Sequence, residues 1–122
     1  MIINSVNLTN FGYKHRLKTL YLNGKIKPQY GLYGDKLTKK TVSLEHVLPK
    51  SKGGKTELDN LALASIRTNN MRGNKPLNDY LTTKNLVRYI NQFMNIKTPE
   101  FDGTKYIKGL IATIDNVLEA NA

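Results

Sequence analysis

Apolar residues recur along this chain at spacings that predict helices near both ends. Near the N-terminus they share one face of a predicted helix over residues 11–22, which Asn10 can cap and Asn23-Gly24 ends. Towards the C-terminus, apolar residues three or four positions apart predict two amphipathic helices, and Asp102 or Thr104 could cap the second of them. The apolar positions are Leu86, Tyr89, Ile90 and Phe93 in the first helix and Ile107, Leu110, Ile111, Ile114, Val117 and Leu118 in the second.

The middle of the chain has a different pattern, which predicts two short strands and a third helix. Residues 41–48 are rich in β-branched and leucine side chains and are followed by Pro49, as is typical of a strand. A polar, glycine-containing loop over 50–55 separates this strand from a short apolar stretch at 61–63. A helix over about 65–72 should follow. This strand–loop–strand–helix order, with helices on both sides, predicts an α+β fold, and 122 residues suffice for a single domain over 1–122.

Composition narrows the choice of partner. The formal net charge is +10, and residues 1–76 hold 14 Lys or Arg against 4 Asp or Glu, whereas residues 77–122 hold 5 of each. A basic surface of this size is typical of a nucleic-acid-binding protein, although basic residues also serve solubility. Cysteine is absent, which excludes disulfides and thiolate zinc sites. Without an apolar run of membrane-spanning length or a recognisable secretory signal, we expect a cytoplasmic protein that has no membrane partner.

One part of the chain offers the residue types that a phosphodiesterase site needs. Such a site requires a base for water, for which histidine is best suited near neutral pH, and a divalent cation, for which Mg²⁺ prefers carboxylate and amide oxygens. It also requires donors that hold the phosphate. These types occur together in residues 44–54 (LEHVLPKSKGG), 58–61 (LDNL) and 68–75 (TNNMRGNK).

These three segments resemble the HNH nuclease family. Its ββα-metal motif has an acidic–His pair at the end of the first strand, a Pro and Gly-Gly loop, an Asn at the second strand and a His or Asn on the helix. The spacing agrees, since Asn60 lies 14 residues after His46 and Asn69 lies 9 residues after Asn60. The resemblance covers about residues 28–76 and implies a small ββα-metal core there, with a helical extension over about 77–120.

The resemblance implies a role for each matching residue. His46 would be the general base that activates water, and Asn60 would complete the catalytic centre by bracing the loop and the orientation of His46. Glu45 and Asn69 would bind Mg²⁺ or Mn²⁺. Basic and polar residues near the motif would contact phosphates: Lys50, Lys52, Arg67, Arg72, Asn74 and Lys75.

The chain departs from the family pattern at two places. Glu45 stands where Asp or His is most frequent, and its extra methylene should move a bound metal by up to about 1 Å. The Cys-x-x-Cys pairs that hold a structural zinc in many HNH proteins are missing, so we expect no structural zinc. Tyr30 and Tyr33 would fill that space by aromatic packing instead.

Some assignments stay open at this point. Adjacent residues on a strand face opposite sides, so Glu45 and His46 can share one metal only where the strand ends or twists. Asn70 competes with Asn69 for the position on the helix, although the spacing favours Asn69. His15 is the only other histidine in the chain. It would lie on a solvated basic face or contact nucleic acid.

The expected function is that of a metal-dependent endonuclease that hydrolyses or nicks DNA, with RNA not excluded. A non-catalytic nucleic-acid-binding module on the same scaffold is the alternative, and a small basic RNA-associated protein is a third. The apolar stripe over 107–118 belongs to the core or to a homodimer seam. Because the sequence contains no separate DNA-recognition module, a partner protein could supply targeting. So compact a form is compatible with a phage or mobile-element origin.

Overall fold

The structure, a computed structural model, describes residues 16–121, with side chains through residue 120. This part of the chain contains four α-helices and two antiparallel strands, which confirms the α+β class. The predicted cap Asn10, the first residues of the N-terminal helix and His15 lie outside the described residues. The elements in chain order are α1 (Arg16–Leu22), β1 (Val42–His46), β2 (Leu61–Ser65), α2 (Ile66–Arg72), α3 (Thr83–Phe93) and α4 (Gly103–Asn121), with 3-10 turns at Lys50–Lys52, Leu58–Asn60 and Leu77–Asp79.

The two strands form one antiparallel pair that runs from Val42 opposite Ser65 to His46 opposite Leu61. β1 is shorter than the predicted strand, whereas β2 extends two residues beyond the predicted apolar stretch. All five residues of β2 are buried, which explains why this strand carries no polar–apolar alternation. α2 follows β2 directly, so the predicted strand–loop–strand–helix order is confirmed.

The outer edge of β2 is closed by groups from other elements. The backbone N–H of Leu63 donates to the Tyr89 hydroxyl at 2.9 Å, and the Tyr106 hydroxyl donates to the carbonyl of Leu61 at 2.7 Å. The two hydroxyls lie 2.9 Å apart, and the remaining carbonyl of Leu63 accepts from the Leu32 N–H at 2.9 Å. Buried peptide groups need such partners, so these contacts fix α3 and α4 against the strand.

α2 and α4 begin after residues whose side chains accept backbone N–H groups. Ser65 caps α2 at 3.2 Å, and Asp102 caps α4 by accepting from the Lys105 N–H at 3.2 Å. Thr104, the other candidate for the cap of α4, donates instead to the carbonyl of Met94. The α4 cap therefore belongs to Asp102.

The apolar stripe of α4 faces the interior of this chain. The buried cluster draws side chains from α1, both strands, α3, α4 and the connecting loops, so the helical extension packs on the strand pair. Over the described residues, no helix combines the length and apolar character needed to cross a membrane. The stripe residues that are buried in this cluster are Ile107, Leu110, Ile114 and Val117.

Replacement of Tyr89 by Phe should destabilise the fold, because it leaves the buried N–H of Leu63 without its acceptor. We expect Tyr89→Phe to lower the free energy of unfolding by about 1–3 kcal/mol, measured by urea denaturation. Tyr80→Phe is the matched control, since its hydroxyl bonds the Met71 carbonyl at a solvent-exposed position. That variant should stay within about 0.5 kcal/mol of the parent protein. Equal losses in both variants would contradict the edge-closing role of Tyr89.

Candidate functional site

His46 lies at the C-terminal end of β1, where the chain leaves the strand and enters the loop that precedes β2. Its side chain is partly exposed, and its Nε2 atom shares a hydrogen bond of 2.9 Å with the Thr56 hydroxyl. Thr56 belongs to the connecting loop, so this contact fixes the imidazole ring relative to the loop. Nothing in the spacing of Thr56 marks it as a site residue in the sequence.

Asn60 holds together the two ends of this loop. Its side chain is nearly buried, with 7% exposed. Its Oδ1 atom accepts from the Leu48 N–H at 2.7 Å, and its Nδ2 atom donates to the carbonyls of Leu48 and Lys55 at 3.0 Å each. The loop also needs Gly54, because a Cβ there would overlap the Leu48 carbonyl. The residues after His46 therefore have a defined path.

Glu45 faces the opposite side of β1 from His46, as strand geometry requires. The carboxylate is buried, with 2% of the residue exposed. Its Oε2 atom accepts a hydrogen bond of 2.5 Å from the Tyr33 hydroxyl and forms an ion pair of 3.3 Å with Nη1 of Arg72. Burial raises the pKa of the Glu45 carboxyl, and the Tyr33 and Arg72 donors counteract part of this rise because they stabilise the ionised form.

Arg72 is the cation of this cluster, and it lies in the interior. Only 1% of the residue is exposed. Its Nη1 atom donates to the His46 carbonyl at 3.0 Å as well as to Glu45, and its Nε donates to the Lys75 carbonyl at 3.0 Å. From the sequence, Arg72 was predicted to contact phosphate. In this structure it is enclosed, because it neutralises a buried carboxylate and closes the outer edge of β1.

Asn69 occupies the same face of α2 as Arg72, one helical turn earlier. Its Nδ2 atom donates to the Ser43 hydroxyl and to the Leu44 carbonyl, both at 2.9 Å. Asn70 is exposed to solvent. Of the two asparagines, Asn69 therefore faces β1, as the spacing predicted, and its amide group is attached to the strand.

The Glu45 carboxylate does not fit the predicted role of Mg²⁺ ligand as it is placed. It is paired with Arg72, and a divalent cation beside it would meet the guanidinium. His46 and Glu45 point to different sides of β1, so the strand does not bring them together. Metal binding by Glu45 and Asn69 stays a prediction.

The remaining predicted phosphate contacts are on the surface. All are exposed, and none of the cations among them belongs to the three ion pairs found among the described residues. Lys75 also donates to the Met71 carbonyl and the Tyr80 hydroxyl, at 3.2 and 3.4 Å. These exposed residues are Lys50, Lys52, Arg67, Asn74 and Lys75.

The two tyrosines that were predicted to fill the place of a structural zinc differ in burial. Tyr33 is buried and contacts the ring of Tyr80 edge-on, with the ring centroids 6.3 Å apart. The Ser65 hydroxyl at the start of α2 donates to the Asp35 carboxylate, and so joins the loop to the helix. Tyr30, however, lies at the surface beside Arg88, with the guanidinium carbon 4.4 Å from the ring centroid. Aromatic packing in this space was predicted for both tyrosines, but only Tyr33 is buried.

Comparison of the chain with protein-family models, curated proteins and solved structures finds no match. The resemblance to the HNH family therefore rests on the motif residues and their spacing.

Replacement of Arg72 by Met should destabilise the protein strongly, because it leaves the Glu45 carboxylate buried without its cation. We expect Arg72→Met to lower the free energy of unfolding by about 3–5 kcal/mol in urea denaturation. Arg67→Met on the exposed face of the same helix is the control and should change it by no more than about 0.5 kcal/mol. A result in which the two variants are equally stable would show that Arg72 is not needed in the interior.

Proposed function

We propose that this chain hydrolyses phosphodiester bonds of nucleic acid, with His46 as the general base. The observation that carries the proposal is the position of His46. A partly exposed imidazole lies at the end of β1, held by Thr56, at the start of a loop that Asn60 closes and that bears three exposed lysines, Lys50, Lys52 and Lys55. A base at a fixed position, on a chain segment that carries cations, is what attack by water on a phosphate requires.

In the proposed reaction, a ring nitrogen of His46 takes a proton from a water molecule as the water oxygen bonds to phosphorus. The bond from phosphorus to the leaving oxygen then breaks, and that oxygen acquires a proton from solvent. Lys50 and Lys52 follow His46 in the loop and supply positive charge for the phosphate. Asn60 is a positioning residue, because it fixes the loop and does not itself contact the reacting atoms.

DNA is the proposed substrate, and a requirement for Mg²⁺ or Mn²⁺ belongs to the same proposal through the resemblance. When bound, such an ion would supply charge for the leaving oxygen. Glu45 could ligate it only after separating from Arg72 and Tyr33.

A second candidate function is non-catalytic nucleic-acid binding on the same scaffold. The Glu45–Arg72 pair favours it, because a carboxylate held in a buried ion pair is not available to a metal ion. The exposed lysines would then bind phosphates without hydrolysis.

Loss of the His46 imidazole should abolish cleavage and spare binding. In Mg²⁺ or Mn²⁺, we expect the wild-type protein to nick supercoiled plasmid and His46→Ala to do so about 10²–10⁴-fold more slowly. His15→Ala removes the chain's other histidine and should leave the rate at saturating protein unchanged.

The assay should be repeated over a series of divalent metals, with single-stranded and duplex DNA and with RNA. Cleavage by the wild type that His46→Ala retains would overturn the proposed role of His46. A wild type that shifts DNA in a gel yet cleaves none of these substrates would instead support the non-catalytic candidate.

A further inference from the structure

A pair of adjoining grooves lies where the loop after α1 meets α3, and neither groove is lined by a residue that was predicted to act in catalysis, metal binding or phosphate contact. The first has a volume of about 310 Å³ and includes Tyr21 and Lys39 in its lining. The second has a volume of about 410 Å³ and is lined by Lys27, Gln29, Tyr30, Arg88, Asn91 and Gln92. Lys27 and Gln29 line both, so the two form one continuous surface, called here the Tyr30–Arg88 groove.

An aromatic ring and a guanidinium are held together in this groove. The Arg88 guanidinium carbon lies 4.4 Å from the centroid of the Tyr30 ring. Gln92, one turn further along α3, fixes the backbone of Gln29 and Tyr30. Its Oε1 atom accepts from the N–H groups of Gln29 and Tyr30 at 2.8 and 2.7 Å, and its Nε2 atom donates to the Tyr30 carbonyl at 2.8 Å. The position of Tyr30 is therefore set before any ligand binds.

The charge of this groove differs from that of another groove among the described residues. The Tyr30–Arg88 groove is lined by Lys27, Lys39 and Arg88 and by no carboxylate, and none of these cations belongs to an ion pair among the described residues. The other groove, of about 130 Å³, has a mixed lining of three carboxylates and two cations, which are Asp59, Glu100, Asp102, Arg16 and Lys105. Positive charge without internal compensation is complementary to a polyanion.

We propose that the Tyr30–Arg88 groove binds a single-stranded segment of nucleic acid, at a distinct surface from His46. This inference rests on the proposed function in taking nucleic acid as the substrate. The three cations would contact backbone phosphates, and the Tyr30 ring and Arg88 guanidinium would stack with an unpaired base. The side-chain amides of Gln29 and Asn91, which line the same groove, offer donors and acceptors to base edges.

The aromatic and amide groups favour a single strand over a duplex. Lysines on an open surface can contact the phosphates of a duplex. The faces of its bases, however, are stacked on one another and are not accessible to a side chain. A ring within a groove can contact a base face only where the base is unpaired. A free end, a loop or a strand opened near the cleavage site would each provide such a base.

The test compares binding of fluorescent single-stranded and duplex oligonucleotides by anisotropy over a range of salt concentrations. The double variant Lys27→Gln/Arg88→Gln should bind the single strand about tenfold more weakly, and its plot of log K against log salt should be shallower by about 1.4, since each lost phosphate contact removes about 0.7. The control Lys84→Gln/Lys108→Gln removes the same charge at exposed positions outside the groove, one of them on α3 as well, and should show neither change.

Tyr30→Leu separates stacking from charge. It should weaken binding to the single strand about tenfold, leave the salt dependence unchanged and affect the duplex little. Thermal unfolding of each variant checks that the fold is retained, and Tyr30→Phe, which keeps the ring, should restore binding if Leu weakens it by loss of stacking.

If the groove double variant binds as the control does, or if Tyr30→Leu weakens duplex and single-strand binding equally, the proposal is overturned. Its failure is distinguishable from failure of the proposed function, which is measured by cleavage in His46→Ala. If the wild type does not cleave but its binding depends on Tyr30 and Arg88, the groove proposal stands and the nuclease proposal fails. If cleavage depends on His46 but binding is unchanged in the groove variants, the nuclease proposal stands and the groove proposal fails.

Discussion

The structure depends on satisfying the peptide groups at both edges of a sheet that has two strands among the described residues. β1 and β2 pair with each other on one side, which leaves a row of N–H and C=O groups on the other side of each strand. β2 is buried along its whole length, so water cannot satisfy its outer edge. Two tyrosine hydroxyls and one backbone N–H take that place, and the packing of α3 and α4 against the strand follows from it.

The outer edge of β1 has the same requirement, and α2 meets it with polar side chains. Asn69 donates to the carbonyl of Leu44, and Arg72 donates to the carbonyl of His46. Both come from the segment that the motif assigns to metal and phosphate. A polar side chain of this kind can bind a ligand or can bond a carbonyl at a strand edge. In Asn69 and Arg72, N–H groups of the side chain are used for the strand edge. His46 lies at the end of that edge. Its backbone carbonyl accepts from Arg72, and its ring shares a hydrogen bond with Thr56.

Much of the fold could be predicted from the sequence, because local patterns determine it. The 3–4 spacing of apolar residues located α3 and α4, and the Gly-Gly loop between two short apolar runs located the strands. The alternation of side chains along a strand left open whether Glu45 and His46 share one site, since they do so only where the strand ends or twists. The spacing of Asn69 and Arg72 on one helix was compatible with a shared face, although the strand groups they bond could not be identified.

The rest could not be predicted because it depends on contacts between residues that are far apart in sequence. Tyr33, Glu45 and Arg72 come from a loop, a strand and a helix, and nothing in their separate neighbourhoods shows that they share a buried cluster. The pairing of Tyr89 with Tyr106 is of the same kind. Composition located the excess charge in the first part of the chain, but it did not show that Arg72 is enclosed or that Arg88, from the neutral part, joins Lys27 in a groove.

The groove and the buried ion pair are positioned by one turn of the chain. Tyr30 pairs with Lys36 across this turn, Tyr30 faces the groove, and Tyr33 reaches inward to Glu45. α3 fixes the turn at two points, since Gln92 binds the backbone of Tyr30 and Asn85 donates to the carbonyl of Tyr33. The Tyr30–Arg88 groove and the buried Glu45–Arg72 pair therefore both depend on the contacts that α3 makes with this turn.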